Sequence, residues 1–256
     1  MKMKKETIIK NLKGGLIVSC QTEKGDVIHK DNQTVVMMAE AAQWAGAKAI
    51  RANNPVQIKA IAEKVDLPII GLNKVCYEGT DEVIMTPTLE DAKRVYEAGA
   101  QIIALDARPL KKPDGELRCD LIPKIKKEIP DAMVWADIGT VKEAENAAAL
   151  GADFVSPTCF KVAEENKGKT PPGWREFAEM CRKCGDKTIC IMEGNIYTPE
   201  DAMKAIYLGA HAVVVGSAIT RPHLIAKRFV DLMNGLQPED DWRVEEIKWH
   251  GEITKL

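Results

Sequence analysis

The sequence has almost no net charge: 36 Lys and Arg stand against 38 Asp and Glu, a formal −2. A nucleic-acid or membrane surface asks for a strong basic field, so neither is expected as a partner. No uninterrupted apolar run approaches the roughly 18 residues of a membrane-spanning helix. The start, Met1-Lys-Met-Lys-Lys-Glu, is basic, but Lys10 and Lys13 interrupt the apolar residues after it. No signal-peptide core is visible, and a cytoplasmic location is the expectation. The seven cysteines are odd in number and scattered, unlike the paired framework of a small secreted domain. They read as reduced thiols. A glycine-rich first turn is missing as well, which counts against a doubly wound dinucleotide-binding sheet.

What is present is a repeat. Gly46, Gly99, Gly151 and Gly209 each sit in an Ala/Leu-Gly-Ala triplet, 53, 52 and 58 positions apart. An apolar run comes after each triplet. Thr88, Thr140 and Thr198 each stand 11 residues before their glycine, with an acid three residues on. A threonine hydroxyl there satisfies a free N–H at a helix start, and glycine takes the left-handed cap at the far end. Further apolar runs lie between these units. Eight strands are predicted, near 16–20, 48–51, 68–73, 101–106, 132–137, 153–156, 188–192 and 211–215. Eight such units in 256 residues indicate an α/β fold, the (β/α)8 TIM barrel.

One barrel is expected over 1–235, with an amphipathic N-terminal helix at 2–12. Residues 236–256 read as a charged C-terminal tail carrying Trp242 and Trp249. Residues 160–173 form a long polar loop after the sixth strand, suited to a lid. Trp174, Phe177, Cys181 and Cys184 fall on one face of a helix. That makes Cys181-x-x-Cys184 a buried stripe rather than half a zinc site, since no second pair completes one.

Chemistry in this fold stands at the C-terminal ends of the strands. Those ends read Gln21, Arg51, Lys74, Asp106, Asp137, Ser156 to Thr158, Glu193 and Gly216-Ser217. Singly, each has a structural explanation; Arg51, for instance, could pair with Asp106 or Asp137 on the rim. Their recurrence at most strand ends points to a site. Gly194, Gly216 and Ser217 expose backbone N–H groups beside helix starts and suit a phosphate. Lys74 after strand three and Glu193 after strand seven would face each other across the barrel. A nitrogen base and a carboxyl so placed suit removal and return of a proton on carbon, or proton removal with opening of a sugar ring.

Gly14-Gly-Leu-Ile-Val-Ser-Cys-Gln21, Ile50-Arg-Ala-Asn53, Pro68-Ile-Ile-Gly71 with Lys74, Thr86-Pro-Thr88, Ile103-Ala-Leu-Asp-Ala107, Ala136-Asp-Ile138, Glu193-Gly194 and Val214-Val-Gly-Ser-Ala-Ile-Thr-Arg-Pro222 carry a resemblance. Together they resemble the N-acetylmannosamine-6-phosphate 2-epimerase family of bacterial sialic-acid catabolism, over roughly residues 7–235. The resemblance implies a barrel isomerase that interconverts N-acetylmannosamine 6-phosphate and N-acetylglucosamine 6-phosphate without metal or organic cofactor. It implies Lys74 and Glu193 as the catalytic pair, and Gln21, Arg51 and Asp137 as sugar contacts, with Asp106 added from its strand end. Gly194, Gly216, Ser217 and Arg221 would hold the phosphate. The expected partner is a phosphorylated amino sugar, and the expected assembly a homo-oligomer, a dimer.

The chain departs from the family pattern at Val75, Gly139 and Asn195, and in the loop beginning Pro157-Thr-Cys-Phe160. These changes keep the proton chemistry but remove hydrogen-bond partners around the sugar. Two other readings of the same strand ends stay open: a Schiff-base aldolase with Lys74 as nucleophile, and a phosphosugar-binding barrel without activity.

Overall fold

Three threonines start three helices as their spacing requires. Thr88, Thr140 and Thr198 accept hydrogen bonds from the N–H groups of Asp91, Glu143 and Asp201 at 3.1, 3.2 and 3.1 Å. At Thr140 the cap is reciprocal, because Glu143 takes the Thr140 N–H at 3.0 Å. The four repeat glycines have φ of 88, 116, 95 and 106°, the left-handed region that ends a helix.

The computed structural model describes residues 3–22, 25–77 and 82–235. The 236–256 tail lies outside the described residues. In chain order the elements are α1 (Lys5–Leu12), β1 (Gly15–Ser19), α2 (Asn32–Trp44), β2 (Ala49–Asn53), α3 (Pro55–Ala62) and β3 (Ile69–Leu72). A hairpin of β4 (Lys74–Cys76) and β5 (Val83–Met85) comes next, then α4 (Leu89–Glu97), β6 (Ile102–Asp106), α5 (Leu121–Glu128), β7 (Met133–Asp137), α6 (Val141–Ala149) and β8 (Phe154–Ser156). The chain continues through α7 (Trp174–Cys184), β9 (Ile189–Cys190), β10 (Met192–Glu193), α8 (Pro199–Tyr207), β11 (Ala212–Val215), α9 (Ser217–Thr220) and α10 (Pro222–Asn234).

The parallel sheet runs β10-β11-β1-β2-β3-β6-β7-β8-β9. β9 and β10 are two halves of one strand separated by Ile191, so the sheet closes into an eight-stranded ring. The strands expected from the sequence all form; only the seventh is divided. Both faces of most strands are buried, and the side faced alternates along them. Ile17, Ala49, Ile70, Ile102, Ala104, Met133, Trp135, Phe154, Ile191 and Val214 fill the barrel interior. Their neighbours, such as Val18, Ile50, Ile103, Val134 and Val155, pack outward under the helices. Trp135 stacks on Phe154 at 5.5 Å and forms the interior floor below the mouth.

α1 closes the opposite end. Its Ile8 and Leu12 are buried against the interior cluster. Lys5 Nζ donates to the carbonyls of Pro130 and Ala132 at 2.6 and 3.0 Å. In α7, Phe177 and Cys184 are buried while Trp174 and Cys181 pack half-buried on the core, as the stripe predicts; Met180 joins them. The 160–173 segment is docked rather than free. Asn166 Nδ2 donates to the carbonyls of Gly139 and Phe160 at 2.7 and 3.2 Å, and Phe160 is buried. α10 has no buried residue and exposes Phe229, Val230, Leu232 and Met233. Among the described residues, no helix is long and apolar enough to cross a membrane.

Candidate active site

Two residues beyond the interior layer, alternation places Ser19, Arg51, Asp106, Asp137, Ser156 and Glu193 on the same inner side, at the C-terminal mouth. There the apolar filling gives way to charge. Asp137 is fully buried and accepts from Arg51 Nη2 at 2.6 Å, Thr158 Oγ1 at 2.7 Å, Ser156 Oγ at 3.1 Å and Trp135 Nε1 at 3.2 Å. A buried carboxylate supplied with four donors keeps a fixed position. The Arg51 guanidinium also lies 5.5 Å from the Trp135 ring centre. Of the two rim partners open to Arg51 in the sequence, the structure selects Asp137.

Glu193 is the other partner of Arg51: Oε2 and Nη1 lie 3.1 Å apart, but without the alignment of a hydrogen bond. Burial pushes the Glu193 carboxyl up to about 7, and the Asp137 charge adds to this. Arg51, a hydrogen bond from Thr158 and the Lys74 charge pull the other way and lose. The group thus stands near half-protonation at neutral pH.

This carboxyl leaves a signature in stability. In the unfolded chain Glu193 returns to its ordinary 4.5. Between 4.5 and about 7 the folded state binds the extra proton. This contribution is therefore complete below 4.5 and is lost as pH rises through about 7. Glu193→Gln removes it. The stability of the variant relative to wild type should rise between pH 5 and pH 8, by up to about 3 kcal/mol. Denaturant titrations at the two pH values measure this; a pH-independent difference would contradict the buried-carboxyl assignment.

Lys74 departs from expectation in one respect. β3 ends at Leu72, and Lys74 opens β4 of a hairpin instead of ending the third strand. The turn is made by Asn53 Oδ1, which takes the Lys74 N–H at 3.0 Å, and by the Asn73–Thr86 pair. The residue still rises from the third wall of the ring, and its charge reaches Glu193 on the seventh. Gln21 stands above Ser19 and donates to its Oγ at 3.0 Å.

The phosphate candidates divide. Gly194, Gly216 and Ser217 line one cavity of about 150 Å³, together with Ser19, Thr158, Glu193, Asn195 and Tyr197. Arg221 does not line it; its guanidinium lies 3.5 Å from Asp26. Asp106 is brought to the same layer but is occupied. Arg108 holds it with Nε at 2.9 Å and Nη2 at 2.7 Å, and Arg118 Nη1 lies at 2.6 Å. Burial opposes the Asp106 charge, yet these arginines outweigh it and lower the carboxyl below its ordinary value. Sequence reasoning missed both arginines. Arg108, two residues after Asp106 and so on its side of the strand, was the available signal.

With this geometry in hand, comparison with known proteins decides the family. Residues 35–235 match the model of the family described as "Putative N-acetylmannosamine-6-phosphate epimerase". The chain belongs to this family. A relative from Caldanaerobacter subterraneus subsp. tengcongensis, named "Putative N-acetylmannosamine-6-phosphate 2-epimerase", is 44% identical over 87% of this chain and 92% of its own length. One of the same name from Listeria welshimeri is 41% identical over 89% and 95%. Among solved structures, the N-acetylmannosamine-6-phosphate 2-epimerase from Clostridium perfringens superposes with a TM-score of 0.82 at 36% identity, over 91% of this chain and 99% of that one. A thiamine phosphate pyrophosphorylase from Pyrococcus furiosus, at 16% identity and a TM-score of 0.54, shares the fold alone. The family thus agrees with the resemblance carried by the strand-end motifs, and the solved epimerase with the expected TIM barrel.

Proposed function

We propose that the chain interconverts N-acetylmannosamine 6-phosphate and N-acetylglucosamine 6-phosphate by moving the proton on carbon 2, with Lys74 and Glu193 as the catalytic pair. This reading is supported by Glu193 ending the seventh strand and Lys74 following the third, with the Lys74 charge acting on the buried Glu193 carboxyl. The buried Arg51–Asp137 pair, 2.6 Å apart, lies beside Glu193 in the same layer.

Once the sugar ring opens, carbon 2 lies beside an aldehyde and its proton becomes removable. The amine of Lys74 takes it. Arg51 Nη1, which makes no aligned hydrogen bond, steadies the enolate oxygen. Glu193, half-protonated near pH 7, supplies a proton to the opposite face or to the ring oxygen. Gln21 contacts the sugar; the buried Asp137 orders the mouth through Arg51, and Asp106 orders the rim through Arg108 and Arg118. Proton NMR in heavy water tests the reaction. Deuterium should enter carbon 2 of both epimers, and tight binding without exchange would leave a binding protein only. Trapping of Lys74 by borohydride would instead favour a Schiff-base aldolase.

The phosphate assignment rests on the cavity at Gly194, Gly216 and Ser217. A Cβ on Gly216 would stand 3.4 Å from that of Ser19, so a larger side chain intrudes on this space. Gly216→Val should raise the KM for the 6-phosphate by about tenfold or more while affecting the unphosphorylated sugar little. Equal losses for both sugars would remove the assignment.

A homodimer is supported by the exposed apolar side chains of α10, Phe229, Val230 and Met233. Light scattering should give twice the 28.2 kDa chain mass, and Phe229→Asp should shift it towards monomer. A monomeric wild type would refute this.

A further inference from the structure

The hairpin that carries Lys74 returns to the barrel through one strained residue. Thr86 follows β5 with φ of 49° and is 1% exposed. A β-branched residue is rare in that region and persists there only where surrounding bonds fix it. Those bonds are present. The Thr86 N–H donates to the Asn73 carbonyl at 2.7 Å, and the Asn73 N–H donates to Thr86 Oγ1 at 3.1 Å. Thr86 Oγ1 in turn donates to the Ala104 carbonyl of β6 at 2.6 Å.

The paired register of β3 with β6 stops at Gly71–Ile103. The Thr86 hydroxyl carries the link one step higher, bridging the two strands immediately below Lys74. On the other side, Asn53 of β2 takes the Lys74 N–H at 3.0 Å. Asn73 is further held by its Nδ2, which donates to Asp91 Oδ1 at 2.8 Å. In the hairpin, Lys74 pairs in register with Met85, the residue before Thr86. A glycine at position 86 would relieve the backbone but lose the bridge. Threonine keeps the bridge and bears the strain.

We propose that Thr86 is a positioning residue for Lys74: its hydroxyl fixes the base of the hairpin to β6 and so sets where the Lys74 amine stands over the barrel mouth. Thr86 touches no substrate. The inference rests on Lys74 being the base, and it concerns the residue that aims it. A displacement of about 1 Å at a reacting group can cost about a hundredfold in rate.

The experiment compares Thr86→Val, which keeps shape and removes the hydroxyl, with Thr86→Ser, which keeps the hydroxyl. Two readouts are taken. One is kcat and KM for epimerisation. The other is the 13C resonance of Lys74 and its pH titration in reductively methylated enzyme, assigned by its loss in Lys74→Arg. Thr86→Val should lower kcat by about tenfold or more with KM nearly unchanged, and should move the Lys74 resonance. Thr86→Ser should recover both. A folded Thr86→Val with wild-type kcat overturns the proposal. So does a loss of kcat with the Lys74 resonance unmoved, or a Thr86→Ser no better than Thr86→Val. Should Thr86→Val fail to fold, Asn53→Ala removes the other anchor of Lys74 and should give the same pair of changes; an unmoved resonance there overturns the proposal equally. If Lys74 proves not to be the base, the resonance still reports whether Thr86 sets its position, so the two failures are distinguishable.

Discussion

Lys74→Ala should abolish exchange of the carbon 2 proton with solvent, from either epimer. The amine is the one nitrogen base proposed at the mouth, and Arg51, the neighbouring cation, is held protonated by Asp137 and Glu193. A positioned base contributes roughly a hundred- to ten-thousandfold to a proton transfer. The loss in kcat should therefore be about a hundred- to ten-thousandfold, with little change in melting temperature, because the Lys74 side chain is only half-buried. The backbone anchor through Asn53 survives the change. Heavy-water NMR on both epimers checks the result. Turnover near that of wild type would remove the mechanism. Glu193→Gln discriminates further: if Glu193 opens the ring, an open-chain analogue restores exchange, and if it serves the second face, exchange survives from one epimer only.

Asp137→Ala should be the most damaging substitution for stability. It removes four hydrogen bonds at a fully buried carboxylate and leaves the Arg51 guanidinium, itself 1% exposed, with Glu193 as its remaining carboxylate. Breaking a buried ion pair from one side costs about 3–5 kcal/mol, on the order of 10 °C in melting temperature for a chain of this size. The same change acts on chemistry. The Asp137 charge raises the Glu193 carboxyl, so its removal lowers that group and moves any Glu193-dependent limb of the kcat–pH profile to lower pH. Thermal melts and pH–rate profiles of the variant test the two effects. A melting temperature within about 2 °C of wild type would show that the pair is not a buried pivot of the barrel.

The ring of strands was legible because burial and hydrogen bonding leave few alternatives to a continuous apolar run followed by a capped helix. Thr88, Thr140 and Thr198 announced their helices by local chemistry alone. The strand-end carboxylates at Asp137 and Glu193 were legible for the same reason: alternation sets their side of the wall. What the sequence concealed depends on contacts between distant segments. The hairpin after β3 is held by Asn53 and Thr86, far from Lys74 in the chain yet bonded to its backbone or that of Asn73. In the clamp on Asp106, the Arg118 arm joins residues whose pairing no periodicity predicts. Gly139 and the loop beginning Pro157-Thr-Cys-Phe160 looked like two separate departures from the family pattern. They are one feature, since a Cβ at 139 would come within 2.6 Å of Ala163 Cβ and 2.8 Å of the Cys159 carbonyl. The loop docks because position 139 is bare.

The seal made by α1, with Ile8 and Leu12 set against the interior side chains and Lys5 fastened across to Pro130 and Ala132, has a consequence for traffic. The barrel is a cup with one doorway. With the site proposed at the mouth, both epimers would arrive and depart there, so each waits for the other to vacate it. Each should therefore inhibit turnover of the other competitively, and a reactive open-chain species held at the mouth has no rear exit through which to be lost.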